Sequence, residues 1–213
     1  MTNDFCFVCV AFNPAYVEQQ VRLRKSILEI YPDANIIFFT DRYPPGAKTH
    51  EASHYGFKPH GVNYAKEQGF KKIIWFDPAC VLVKKVDYWF ELVKEYGVVA
   101  AEDTSLLHQN CSDEAYNYFG ISRQESIEKK QHLVGGSLYV FDFDLPLCVD
   151  IFGMWKQAEL DGIFLSPLHA AYHRNDEAIM SLSLYKNGSK PVPYDICGYN
   201  DVADAIVKKY HFK

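Results

Sequence analysis

Several features that would mark a broad class of protein are missing from this sequence. No stretch comes near the ~20 consecutive apolar residues of a membrane-spanning helix, and the first residues do not form a secretory signal. Basic residues do not dominate, because 22 Lys and Arg stand against 27 Asp and Glu and the net charge is -5. A nucleic-acid backbone favours clustered positive charge. We therefore expect no membrane span, no nucleic-acid partner and a location in the cytoplasm.

Glycine-rich phosphate-binding motifs are also absent. No G-x-G-x-x-G follows a predicted strand, which argues against a dinucleotide-binding protein. No glycine-rich basic loop lies near the amino terminus, which argues against a nucleotidyltransferase. Among the six cysteines, Cys6 and Cys9 form a C-x-x-C pair. Residues three apart on a strand point to opposite faces, so we predict two buried, reduced thiols rather than a metal or redox motif.

What the sequence does contain is the pattern of an α/β protein. With 213 residues, 48% of them hydrophobic, the chain is long enough for one sizeable core. Strands are predicted over 4–11, 35–40, 72–76, 81–83, 97–101 and 133–143, with an edge strand over 191–194. Helices are predicted over 14–31, 62–68, 87–96, 145–160, 176–185 and 201–210, and the polar segment 102–130 is predicted to be loops with one or two short helices. This order predicts a Rossmann-like, mixed and mainly parallel central sheet flanked by helices.

Ligands of such sheets collect beyond the carboxyl ends of the strands. The first strand ends at Ala11-Phe12-Asn13, the second at Thr40-Asp41, and the third runs directly into Asp77. A carboxylate at the tip of a buried strand can bind a divalent cation or a ribose hydroxyl. An aspartate before a proline can equally cap a turn. The residues alone leave both interpretations of Asp77 open.

Four segments, in this order, resemble motifs of the GT-A-fold glycosyltransferases. They are KKIIWFDPACVLVKK at 71–85, LVGGSLYVF at 133–141, HRNDEAIM at 173–180 and KYHF at 209–212. The first is similar to the family's strand that carries an Asp-x-Asp motif, and the last to a late histidine of its metal site. The resemblance includes glycosyltransferase domains of algal large DNA viruses that act on capsid protein. It implies one domain over 1–213, with a nucleotide-binding half to about residue 100 and a sugar and acceptor half beyond it.

The resemblance implies a Mn²⁺ or Mg²⁺ ion held by Asp77, His211 and the donor diphosphate. Hard oxygen ligands with one imidazole suit these ions. The sequence departs from the motif at Ala79, where the family has its second, main metal-binding acid. A natural departure, an inactive variant and an engineered substitution all remain open at this point.

Further site residues are expected on the same grounds. Asp176 and Glu177 are candidates for the acid near the reacting sugar, although acids at a helix start also favour the helix dipole. Arg174 is expected to bind the diphosphate or to pair with Asp176, and Lys66 to reach the diphosphate. Phe12 and Asn13 are expected to hold the base by stacking and by hydrogen bonding, and Ala11 is expected to belong to the donor-binding site. Gly135 and Gly136 would let a ligand approach the strand backbone, or mark a bulge or tight helix packing.

The function implied is transfer of a hexose or deoxyhexose from a UDP-sugar to a glycan or glycoprotein, with retention at the anomeric carbon. One alternative is a catalytically impaired nucleotide-sugar-binding domain, because Ala79 cannot bind a metal. A second is a metal-dependent phosphatase of the haloacid-dehalogenase type, which also starts from a strand ending in Asp. That chemistry needs a second Asp two residues on, and position 79 lacks it.

Overall fold

The computed structural model describes residues 4–165, 173–199 and 205–210. Within them seven strands are present, β1 (Phe5–Ala11), β2 (Asn35–Thr40), β3 (Lys72–Phe76), β4 (Cys80–Leu82), β5 (Val98–Leu106), β6 (His132–Asp142) and β7 (Val207–Lys209). The helices of the same residues are α1 (Pro14–Ile30), α2 (Phe57–Glu67), α3 (Asp87–Tyr96), α4 (Asp113–Phe119), α5 (Arg123–Glu128), α6 (Pro146–Leu160), α7 (Asn175–Lys186) and α8 (Tyr194–Cys197). No helix of this part of the chain combines the length and the apolarity needed to cross a membrane.

The central sheet has the strand order β2-β1-β3-β6-β5. Strand β1 runs parallel to β2 and β3, while β6 is antiparallel to both β3 and β5. Four of the five strands therefore point the same way, and only β6 opposes them. The predicted mixed, mainly parallel α/β fold is confirmed.

Helices cover both faces of this sheet, and β1 shows why the strand is apolar throughout. Cys6 belongs to the core on the side of α2, α6 and α7, whereas Cys9 belongs to the core on the side of α1 and α3. All seven residues of β1 are buried. The two thiols are free and point to opposite faces, as the strand period predicts.

Helix α2 begins five residues before the predicted start at 62. Its first turn contains Pro59, which is tolerated there because the first backbone N–H groups of a helix need no partner within the helix. Gly61 lies where a Cβ atom would come within 3.2 Å of the Trp75 ring and 3.3 Å of Val8. Close packing against the sheet, rather than a break, therefore explains this glycine. The early start places Lys58 on the helix.

The carboxyl-terminal predictions need correction. Instead of an edge strand over 191–194, Val192 makes a single bridge to Ala101, and the short helix α8 follows. Instead of a helix through 210, the described residues 205–210 contain β7, which pairs antiparallel with β4, and 201–204 lie outside the described residues. Tertiary pairing has overridden the local helical pattern. Segment 102–130 does contain two short helices, α4 and α5, but β5 extends into it through two irregularities in its pairing with β6.

Candidate active site

A cleft of about 670 Å³ lies at the carboxyl edge of the parallel strands. The turn after β1, the loop between β2 and α2, the segment after β3 and strand β7 form its walls. Its lining includes Phe12, Asn13, Tyr16, Gln19, Tyr43, His50, Tyr55, Asp77, Ala79 and Lys209. Four segments that are distant in sequence thus meet where the topology of the sheet predicts a ligand.

Aromatic rings form one wall of the cleft. The ring centroids of Phe12 and Tyr43 are 4.1 Å apart, and those of Phe12 and Phe57 are 5.6 Å apart. Asn13 next to them has a positive φ of 67° and accepts the Tyr16 N–H through Oδ1 at 3.1 Å, which caps α1. The cap occupies that amide oxygen. The half-buried Phe12 ring remains as a flat apolar surface of the kind on which a nucleobase stacks.

Asp77 both closes a turn and faces the cleft. Its carbonyl oxygen accepts the Cys80 N–H at 3.0 Å, and its own N–H donates to the Ser137 carbonyl at 2.9 Å. The carboxylate Oδ1 accepts from Trp75 Nε1 at 3.2 Å and lies 3.3 Å from Lys58 Nζ. About a quarter of the side chain, 24%, stays exposed. The turn and the ligand-facing interpretations of this residue are therefore compatible.

Lys58 is the central charged residue of the site, and its side chain is only 3% exposed. Its ammonium donates to Asp176 Oδ2 and to the Gly136 carbonyl, both at 2.8 Å. Burial alone would lower the pKa of Lys58, but the carboxylates of Asp176 and Asp77 outweigh it and raise the pKa above its usual value. The side chain is thus a fixed positive charge beneath the cleft.

Asp176 and Glu177 lie side by side at the start of α7 but differ in environment. The Asp176 side chain is enclosed, and it also accepts from the Tyr139 hydroxyl at 3.2 Å. Burial raises the pKa of Asp176 to about 7, against the opposing effect of the Lys58 ammonium. Glu177 accepts the Gly136 N–H at 3.0 Å, pairs with Arg174 at 2.6 Å and keeps 16% of its side chain exposed. Of the two acids, Glu177 has the more exposed side chain, while its Oε2 is itself buried.

The described residues of the cleft offer only part of the ligand set that a divalent cation needs. Asp77 supplies one carboxylate, whereas Ala79 supplies none, and its carbonyl oxygen already accepts from Arg22 and from the Tyr210 N–H. No cluster of three or more His, Cys, Asp or Glu side chains suited to a metal occurs among the described residues. Mn²⁺ and Mg²⁺ prefer about six ligands, so this donor set does not form a cation site. His211 follows Tyr210 directly in the chain but lies outside the described residues.

The other predicted residues fall in different places. Ala11 is buried in the sheet, and its carbonyl oxygen accepts the Asp41 N–H at 3.0 Å. The assignment of Lys66 to the diphosphate is not supported, because its ammonium lies over the Phe143 ring at 4.8 Å, at the opposite edge of the sheet. A Cβ atom added at Gly135 would make an ordinary van der Waals contact, 3.8 Å from the Ala101 carbonyl oxygen. Arg174 is half exposed and pairs with Glu177, not with Asp176.

Sequence reasoning missed Lys58 and the aromatic residues of the loop before α2. The loop brings Tyr43, His50 and Tyr55 to the cleft. Tyr55 has a positive φ of 60°, and its ring lies 5.1 Å from the Lys58 ammonium. A lysine that follows an aromatic residue and precedes a proline carries no motif, so the only usable signal was an earlier start of α2.

No protein-family model matches this chain, and no curated protein sequence matches it. Solved structures do match. One is the apo structure of the WbbM bifunctional glycosyltransferase, with a TM-score of 0.54 and 12% identity over 97% of this chain. Another is the crystal structure of a glycosyltransferase involved in glycosylation of the major capsid of PBCV-1, with a TM-score of 0.57 and 9% identity over 98% of this chain.

The two structures differ in how much of them this chain spans. It covers 45% of the WbbM chain and 95% of the capsid-glycosylating chain. At such low identities the likeness establishes the fold alone, and it does not establish which reaction the site carries out. The chain has the GT-A-type fold that these glycosyltransferases share.

Proposed function

We propose that this protein is a glycosyltransferase that moves a sugar from a nucleotide-sugar donor to an acceptor. The observation that carries the proposal is the junction at the edge of the sheet. There the aromatic-walled cleft meets Asp77, whose carboxylate lies 3.3 Å from the ammonium that also holds Asp176. A flat apolar wall suits a nucleobase, and an acid cluster beside it suits a sugar centre that becomes positively charged during transfer.

The residues divide this work between them. The Phe12 and Tyr43 rings would stack on the base. The exposed part of the Asp77 carboxylate would accept a hydrogen bond from a hydroxyl group of the donor. Glu177 is the proposed acid facing the reacting sugar, because the Asp176 side chain is enclosed and engaged with Lys58. A carboxylate near an oxocarbenium-like centre stabilises its developing charge.

The finer proposals rest on the motif resemblance. They are a UDP-linked hexose or deoxyhexose as donor, a glycan or glycoprotein acceptor, retention of configuration and a cytoplasmic location. They also include Mn²⁺ or Mg²⁺, which when bound would neutralise charge on the leaving diphosphate. Because the described residues do not complete a cation site, we assign no step to the metal.

One alternative has a specific observation in its favour. Ala79 stands at the cleft where the resemblance expects an acid, and it is 6% exposed. A domain that binds a nucleotide sugar without transferring it would retain the aromatic wall and Asp77. Turnover of the donor separates this alternative from the enzyme, because both would bind the nucleotide.

Calorimetric titration of UDP, GDP and CMP, each with and without Mn²⁺, tests the proposal. We expect UDP to bind in preference to the other two, and chromatography of UDP-sugar incubations to show release of UDP. Binding without release of UDP would support the binding domain. A chain that binds none of the three nucleotides would refute both functions.

A further inference from the structure

We propose that Lys58 is a positioning residue of this site, one that acts through Asp176 to hold the start of α7 against strand β6. The proposal rests on the transferase function proposed above. Lys58 itself is too enclosed to touch a donor, since its side chain is 3% exposed. Its effect on transfer must therefore pass through the groups that it holds.

The Lys58 ammonium contacts three different elements, two through hydrogen bonds and one through an ion pair. An ammonium has three N–H donors. The Gly136 carbonyl of β6 and Asp176 Oδ2 of α7 each lie 2.8 Å from Nζ, and Asp77 Oδ1 beyond β3 lies at 3.3 Å. One side chain on α2 thus ties together the three segments that meet beneath the cleft.

Gly136 connects this arrangement to Glu177, the more exposed of the two acids. Its carbonyl oxygen accepts from Lys58, while its N–H donates to Glu177 Oε1 at 3.0 Å. The same glycine is therefore held by Lys58 on one side and by Glu177 on the other. Because Asp176 and Glu177 are consecutive, release of Asp176 would also displace the Glu177 carboxylate.

Charge balance gives the second reason for the role. Asp77, Asp176 and Glu177 bring three carboxylates to this small region, and Arg174 compensates Glu177 at the half-exposed outer side. Lys58 is the cation in contact with the enclosed Asp176 carboxylate. A buried carboxylate that loses its cation takes up a proton or moves toward water. Either response would break the Lys58–Asp176 ion pair that holds the start of α7 against β6.

The aromatic surroundings fix the ammonium further. The rings of Tyr55, Trp75 and Tyr139 lie 5.1, 5.9 and 5.7 Å from Nζ. Rings at this distance favour a cation over a neutral group. A neutral side chain of similar length, such as methionine, can fill the space but cannot replace the charge.

A double-mutant cycle on kcat tests the proposal. The variants are Lys58→Met, Asp176→Asn and the double variant, with Lys66→Met as the control on the same helix, where the ammonium lies over Phe143. Each is assayed for UDP release from its UDP-sugar, for UDP affinity by calorimetry and for folding by circular dichroism. We expect Lys58→Met and Asp176→Asn each to lower kcat about 100-fold while UDP affinity changes less than about threefold. We expect Lys66→Met to keep wild-type values.

The comparison that decides is between Asp176→Asn and the double variant. Positioning through Asp176 predicts that adding Lys58→Met to Asp176→Asn lowers kcat by less than about threefold more, because coupled residues do not act additively. Because the double variant lacks both the buried ammonium and the Asp176 carboxylate, we expect it to fold even when Lys58→Met alone does not. A further loss of tenfold or more, or an Asp176→Asn variant with wild-type kcat, would overturn the proposal. A wild-type chain that neither binds UDP nor releases it from a donor would instead refute the transferase function.

Discussion

The backbone of Gly136 and the carboxylate of Glu177 are in direct contact, with the N–H donating to Oε1 at 3.0 Å. A Cβ atom added at Gly136 would lie 2.9 Å from Glu177 Cγ and 3.0 Å from Asp176 Oδ2. Strand β6 and helix α7 can approach this closely only because the side chain is missing. The glycine pair in the strand is therefore explained, at position 136, by tight helix packing.

Replacing Gly136 by alanine should destabilise the protein by about 1–3 kcal/mol, the usual cost of overpacking. The same change should lower the rate of transfer, because the Glu177 carboxylate has to move away from the strand. Urea unfolding and UDP release measure the two effects. Gly135→Ala is the matched control, since the nearest atom to its added Cβ is 3.8 Å away. Equal effects at the two positions would contradict the packing argument.

Ala79→Asp should increase the dependence of UDP binding on Mn²⁺. The side chain lines the cleft close to Asp77, so a second carboxylate there would complete a pair of oxygen ligands. We expect the affinity for UDP in the presence of Mn²⁺ to rise at least tenfold, or by about 1.4 kcal/mol. Ala15→Asp adds the same charge elsewhere on the cleft lining and should not produce this gain. A gain of similar size in both variants would point to nonspecific attraction of the cation.

Phe12→Ala should weaken nucleotide binding by about tenfold, because base stacking on an aromatic ring contributes ~1–3 kcal/mol. The effect should be larger for UDP than for a ribose phosphate that lacks a base. Phe143→Ala, at another half-buried phenylalanine on the far edge of the sheet, should leave UDP affinity unchanged. Calorimetry with both ligands makes the comparison. An unchanged UDP affinity in the Phe12→Ala variant would show that the base does not stack on this wall.

His173 should make the fold sensitive to mild acid. It is 4% exposed, its Nδ1 accepts the Ser112 N–H at 3.3 Å, and burial lowers its pKa from 6.5 to about 4. Since the unfolded chain binds a proton here at a higher pH than the folded one, the stability gained from the neutral ring is complete above pH 6.5. It is lost as the pH falls from 6.5 to about 4, by about 3 kcal/mol in all.

Urea unfolding at a series of pH values between 4 and 8 checks this expectation. His173→Asn keeps an acceptor for Ser112 and should flatten the pH dependence between 4 and 6.5. A His173→Asn variant with the wild-type slope would assign the acid sensitivity to other groups.

Agreement between sequence and structure is closest where one strong local signal decides the outcome. The apolar strands β1, β2 and β3 begin and end within one residue of their predicted limits, and Asn13-Pro14 marks the start of α1. The prediction fails where local signals conflict. Pro59 and Gly61 disfavour a helix locally, whereas α2 begins at Phe57, five residues before the predicted start at 62, and includes Lys58. This helix packs on Trp75 and Val8. No local pattern reveals that packing, which places residues 57–61 in the helix.

The sequence by itself determined the α/β class, the order of the main strands and the place of Asp77 at the end of β3. These follow from the hydrophobic periodicity and from the proline and glycine residues that mark turns and helix ends, and both signals act over a few residues. Only the tertiary structure decided that Lys58 meets Asp176, 118 residues away in the chain, and that β7 rather than a helix completes the cleft beside Ala79. Contacts of this kind depend on how whole elements pack, because the charge of one buried residue is balanced by partners that the chain brings from elsewhere.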